Sequence, residues 1–193
     1  MFSSKKWAAT ASAACLLLSL SVTPLFSQAA AQQKQPQAKT KAEYDAYMQI
    51  DSYARLGNMD KVVETGEKFE RDFPQADNNT KKFVMQRMMT SYQQKNDFAK
   101  TVEYGDKVLT IDPKDIPVLL TLSSILTARL PLPTEEDKKA AQLNKALDYS
   151  NRAKAEIELL QKPAQITDEL WTTEKNKLLA TVNSSIDLVH RLR

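Results

Sequence analysis

Two stretches of this chain read nearly alike. Residues 53–74 are YARLGNMDKVVETGEKFERDFP, and residues 92–113 are YQQKNDFAKTVEYGDKVLTIDP. Aligned on their prolines, Tyr53 meets Tyr92, Met59 meets Phe98 and Val63 meets Val102. Glu64 then meets Glu103, Gly66 meets Gly105, Lys68 meets Lys107 and Pro74 meets Pro113. The offset is thirty-nine residues, which fits a helical repeat of ~34 residues with five more in the turn QADNNTK at 75–81. A third copy is visible in ALDYSNRA (146–153), beside VVETGEKF (62–69) and TVEYGDKV (101–108). Residues 129–142 stretch its turn and the start of its second helix. A unit this short cannot bury its apolar face alone, so copies must stack on one another.

The units are helical. Glycine is confined to Gly57, Gly66 and Gly105, and apolar residues recur at three and four rather than at two. The expected class is all-α. Thr40 with Glu43 reads as a capping box opening a first helix that ends near Gly57. A second helix runs from about Met59 to just before Pro74, a third from about Lys81 to Lys95, and a fourth from Phe98 to just before Pro113. Asp115 caps a fifth, with Pro117 tolerated in its first turn, and the LPLP at 130–133 breaks it. Thr134 with Asp137 opens a long sixth helix ended by Pro163, and Thr167 caps a seventh running almost to Arg193. Trp171, Leu178, Leu179, Val182, Ile186 and Val189 give this last helix a mostly helical-period stripe. It reads as a capping helix, with a degenerate fourth repeat as the other reading.

The start of the chain has a different composition. Lys5 and Lys6 precede an uncharged apolar run at 8–26, and Ala29, Ala30 and Ala31 offer a cleavage site. This is the pattern of a secretory signal peptide over residues 1–31; an uncleaved membrane anchor is the alternative, since a span needs ~18 apolar residues. Cys15, the only cysteine, lies before the most apolar part of the run and reads as a neutral signal residue rather than a lipid attachment point. Cleavage would leave no disulfide, thiol nucleophile or cysteine metal site, and localisation would be periplasmic or secreted. Residues 32–41 are polar and rich in Gln and Lys, a flexible spacer. The repeats then occupy 42–163 and the capping helix 164–193.

Charge and chemistry exclude much. Loss of residues 1–31 removes two lysines from a total of 27 basic against 24 acidic residues, leaving a net charge near +1. No basic stripe points to nucleic acid, and no second segment is apolar enough for a membrane. His190 is the only histidine, placed where a helix C-terminus favours cations. Zinc sites and Ser-His or Cys-His nucleophiles lack their parts, and TEED at 134–137 reads as helix capping rather than calcium binding. Glu64, Glu103 and Asp148 are expected to pair with Lys68, Lys107 and Arg152 at i+4. No catalytic residue, cofactor or metal is expected. Gly66, Gly105 and Ser150 share one register. Glycine inside a helix costs ~1 kcal/mol against alanine, so these positions are expected at close helix–helix contacts; neutral surface positions are the alternative.

The chain resembles the tetratricopeptide repeat family. The resemblance rests on Tyr53, Gly57, Met59 and Pro74 in one unit, and on Tyr92, Asn96, Asp97, Phe98 and the closing TIDP at 110–113 in the next. It covers residues 42–163. KFERDFPQA at 68–76 is also similar to repeats of bacterial envelope assembly proteins. The resemblance implies a right-handed α-solenoid of about three helix pairs. It further implies a groove, lined by the first helix of each pair, that holds a protein or peptide. Carried over by register, the groove would be lined by Tyr47 and Asp51, then Gln86, Thr90 and Gln93, then Val118, Leu122 and Ile125. Tyr53, Tyr92, Phe98, Pro74 and Pro113 would be packing residues. For the helix at 116–130, an apolar end to the groove and burial under the sixth helix are both open. A non-catalytic exported scaffold is the leading expectation. An anchored protein that self-associates through its repeats, and an envelope enzyme using clustered carboxylates, are the competing ones.

Overall fold

The computed structural model describes residues 38–193; the expected signal peptide and most of the expected spacer lie outside them. Seven α-helices and no strand occur among the described residues. They are α1 (Lys41–Arg55), α2 (Met59–Asp72), α3 (Asn78–Gln94), α4 (Phe98–Ile111), α5 (Ile116–Ala128), α6 (Glu136–Leu159) and α7 (Asp168–Leu192). The fold is all-α. Each helix packs on the next in chain order, and two further contacts skip one helix, α1 against α3 and α5 against α7.

The sequence repeat is a structural repeat at its turns. Gly57 and Asn96, thirty-nine apart, are the two described residues at positive φ, at 72° and 59°. Around each, the amide three residues past the helix returns to a tyrosine carbonyl: Asn58 N to Tyr53 O and Asp97 N to Tyr92 O, both at 2.9 Å. The amides of Gly57 and Asn96 bond the carbonyls of Ala54 and Gln93 at 3.2 and 3.0 Å. This is the Schellman pattern, which satisfies carbonyls that a helix end leaves open. The next helix is capped at once, because Asn58 accepts from the Lys61 amide and Asp97 from the Lys100 amide, at 3.2 and 3.0 Å. Tyr53 and Tyr92 thus act first through their backbones.

Other ends differ from the sequence expectation. Thr40 Oγ1 accepts from the Glu43 amide at 3.1 Å, but the Glu43 carboxylate takes the amide of Lys39, one residue upstream of the cap. The end of the expected spacer is therefore tied to α1. Helix α3 starts at Asn78, not near Lys81, because Asp77 accepts from the amides of Asn79 and Thr80. The extra residues therefore mostly lengthen a helix, since α3 has 17 residues against 13 in α5. Thr134 and Asp137 form no capping box: α6 begins at Glu136 after Glu135, which makes no side-chain cap bond. Asp115 and Thr167 cap α5 and α7 as the sequence indicates. Of the expected i+4 pairs, Arg152–Asp148 at 3.1 Å and Lys107–Glu103 at 3.7 Å occur. Glu64 pairs instead with Lys61, and Lys68 with Asp72.

The core is continuous from α1 to α7, through Ile50, Val62, Val84, Met88, Val108, Leu119, Leu122, Leu143, Ile157, Val182 and Val189, all essentially without exposure. Burying each such side chain contributes about 1.5–3 kcal/mol. The small positions are points of close approach. A methyl group added at Gly66 would stand 2.5 Å from Met88 Sδ, and one at Gly105 would stand 2.5 Å from Leu122 Cδ2. Each glycine faces the next helix in the chain, Gly66 on α2 facing α3 and Gly105 on α4 facing α5. Ser150 faces back, and its hydroxyl bonds that of Ser123 on α5 at 2.6 Å, with both side chains buried.

Helices α2, α4 and α6 are linked by tyrosines and acids. The Tyr104 hydroxyl on α4 donates to Glu70 on α2 at 2.8 Å, and Lys107 joins the same carboxylate at 3.0 Å. The Tyr149 hydroxyl on α6 donates to Asp106 on α4. Tyr92 stacks on Tyr104, ring centres 5.3 Å apart, and donates to Glu67 at 3.1 Å.

Candidate interaction face

Helices α1 and α3 lie side by side and build a row of rings. Tyr44 and Tyr47 are 6.0 Å apart by centroid, Tyr47 meets Phe83 edge-on at 4.8 Å, and the Arg87 guanidinium lies 4.7 Å over the Phe83 ring. Their spacing along each helix is three or four, so one face carries them all. Tyr44 is 49% exposed and Met48, one turn on, is 41% exposed. These are large apolar side chains left to solvent in a protein whose other rings are mostly covered.

A buried acid organises the same face. Asp51 accepts from Arg55 Nε on its own helix and from Arg87 on α3, both at 2.7 Å. The carboxylate is almost wholly covered while both arginine side chains reach solvent. A carboxylate held between two guanidiniums is oriented by charge-assisted bonds, and the group keeps one net positive charge. Arg87 Nε is buried and has no hydrogen-bond partner among protein atoms. Burial raises the Tyr47 hydroxyl pKa above its ordinary value, and the negative charge of Asp51 adds to the shift.

The face continues from α3 to the start of α5 through a second cluster. Lys82 Nζ lies 3.0 Å from the cap residue Asp115 and also pairs with Asp112; Gln86 Nε2 donates to Asp115 at 2.8 Å. Burial opposes the charge on Lys82, but hydrogen bonds to both acids outweigh it and raise its pKa.

Of the residues expected in a groove, Tyr47, Asp51, Gln86, Thr90 and Gln93 lie on α1 and α3. Asp51 is buried; Tyr47, Gln86 and Gln93 are half-buried; Thr90 is exposed. Val118, Leu122 and Ile125 do not line an open surface: they are 1%, 0% and 2% exposed. The apolar groove end expected there is overturned, because α5 is enclosed by α4, α6 and α7. The expected α5 positions stand thirty-two residues after Gln86, Thr90 and Gln93, two short of the true register. Helices α1 and α3 end thirty-nine residues apart, but α3 and α5 end thirty-four apart, at Gln94 and Ala128. Met88 and Leu122, which face the two glycines, are also thirty-four apart. The α5 positions matching Gln86 and Thr90 are therefore Leu120, half-buried, and Ser124, exposed.

The remaining packing positions are mixed. Tyr92 is buried, Tyr53 and Phe98 are half-buried, and Pro74 and Pro113 are exposed. Pro113 offers its carbonyl to Arg152 at 2.9 Å. Pro74 joins Phe69, Phe73, Val84 and Met85 around a pocket of about 260 Å³ at the junction of α2 and α3. Tyr44, Met48, Phe83 and Arg87 were missed in the sequence. Their signal was available, since Tyr44 and Phe83, and Met48 and Arg87, are each thirty-nine residues apart.

Among the described residues no three His, Cys, Asp or Glu side chains converge to hold a metal ion, and no helix is long and apolar enough to cross a membrane. The chain matches no protein-family model and none of the curated proteins with which it was compared.

Proposed function

We propose that this protein is an exported, non-catalytic scaffold of tetratricopeptide-like helix pairs. In this reading α1–α2, α3–α4 and α5–α6 are three pairs of a right-handed solenoid, and α7 closes the end. The paired Schellman turns and the glycines facing the next first helix support that reading. A segment of another protein is held on the side formed by α1 and α3, reaching toward Leu120 and Ser124 on α5. The observation that carries the proposal is the solvent-open ring row of Tyr44, Tyr47 and Phe83 beside the Asp51-held arginines. Exposed aromatic and arginine side chains are the residue types that anchor interfaces. Export rests on the sequence pattern at 1–31.

The test is cross-linking in the native cell envelope, with the wild-type chain beside Tyr44→Ser and Thr90→Lys. Both residues are exposed, so neither change should move the Tm. One recurring partner, lost several-fold in both variants, is the expected result. Recovery of dimers or larger species of this chain alone would replace the scaffold with a self-assembling structural protein.

A further inference from the structure

Met48 is the methionine best placed for chemistry. Of the five described methionines, Met88 and Met89 are 0% and 6% exposed, Met59 and Met85 are half-buried, and Met48 is 41% exposed. The only cysteine is Cys15, so residues 38–193 contain no thiol to react first. Met48 also sits one turn from the exposed Tyr44 ring and, by register, where α3 carries Arg87. Its thioether is the accessible soft nucleophile of an otherwise aromatic and cationic face.

We propose that Met48 is a reversible oxidation site that changes the polarity of the α1/α3 face. The oxidant is a peroxide. A sulfur lone pair attacks one peroxide oxygen, the O–O bond breaks and an S–O bond forms. The sulfur is oxidised by two electrons to the sulfoxide, and the peroxide is reduced to water. Methionine sulfoxide is polar and accepts hydrogen bonds, and sulfoxide reductases restore the thioether. The fold has no stake in the change because the side chain is not part of the core. Any effect on partner capture rests on the function proposed above; the oxidation site itself does not.

The experiment treats the full chain with graded hydrogen peroxide and reads each methionine by peptide mass spectrometry. Met48 sulfoxide should accumulate several-fold ahead of Met59 and Met85 and far ahead of Met88 and Met89, with the order collapsing in denaturant. The singly oxidised protein should keep its Tm and elute earlier from a phenyl column. The Met48→Leu variant should lose that early shift. Met59 or Met85 reacting first would overturn the site, and an unchanged elution would overturn the polarity change. If both hold yet no partner is ever captured, the binding proposal fails and the oxidation site stands.

Discussion

Gly105 leaves no room for a methyl group. Three atoms of Leu122 would lie within 2.9 Å of it, and Leu122 is itself fully buried. Alanine gains ~1 kcal/mol in helix propensity, but overpacking a core costs about 1–3 kcal/mol. Gly105→Ala is therefore expected to be destabilising in urea unfolding, despite its better propensity. Gly66→Ala meets the end of Met88 instead, an unbranched thioether that repacks readily, so its loss should be smaller. Equal or reversed losses would show that the contacts do not govern these positions. The shared small-residue register was legible because glycine inside a helix is anomalous without a packing cause. The bond between Arg87 and Asp51 was not legible, because nothing in either sequence neighbourhood reveals a partner thirty-six residues away.

At the scale of the element, α5 is apolar nearly all round, and that composition fits either a core helix or a sticky surface. Only its neighbours decide, and α4, α6 and α7 enclose it. Leu122→Ala should cost about 2–5 kcal/mol and lower the Tm, whereas Leu120→Ser, at a half-buried position, should change stability far less. Comparable losses would mean that both faces of α5 are core. Helix identity and order were readable from caps and prolines. The extra turn of α3 was not, because Asp77 can end a loop or begin a helix with the same side chain. The start of α6 was misread for a related reason: Thr134 and Asp137 have capping chemistry, but the chain enters the helix one residue later, after Glu135.

Across the whole molecule, tyrosine–acid links join α3 to α2, α4 to α2 and α6 to α4, and set a response to alkali. Tyr92 is pushed up to about 12 by burial first and by its bond to Glu67 second. Tyr104 and Tyr149 are raised as well, again by burial and then by bonds to Glu70 and Asp106. An unfolded tyrosine titrates near pH ~10. A folded-state pKa above that value means the stabilisation is complete below about pH 10 and is lost as pH rises through the folded pKa. Denaturant midpoints should fall steeply from about pH 10 upward. The double change Tyr104→Phe and Tyr149→Phe should flatten that fall while lowering stability at neutral pH, where two hydrogen bonds worth about 0.5–1.5 kcal/mol each are lost. An unchanged slope would mean that other groups control alkaline unfolding.

Helix α7 touches α5 as α3 touches α1, and its opposite side is largely polar. Its residues Thr172, Thr173, Asn176, Asn183 and Ser184 are exposed, while Val182 and Val189 are buried. Such a polar strip gives an amphipathic helix little apolar surface to pack on. A few apolar replacements along this single outward strip would turn a solvated side into a seat for another helix.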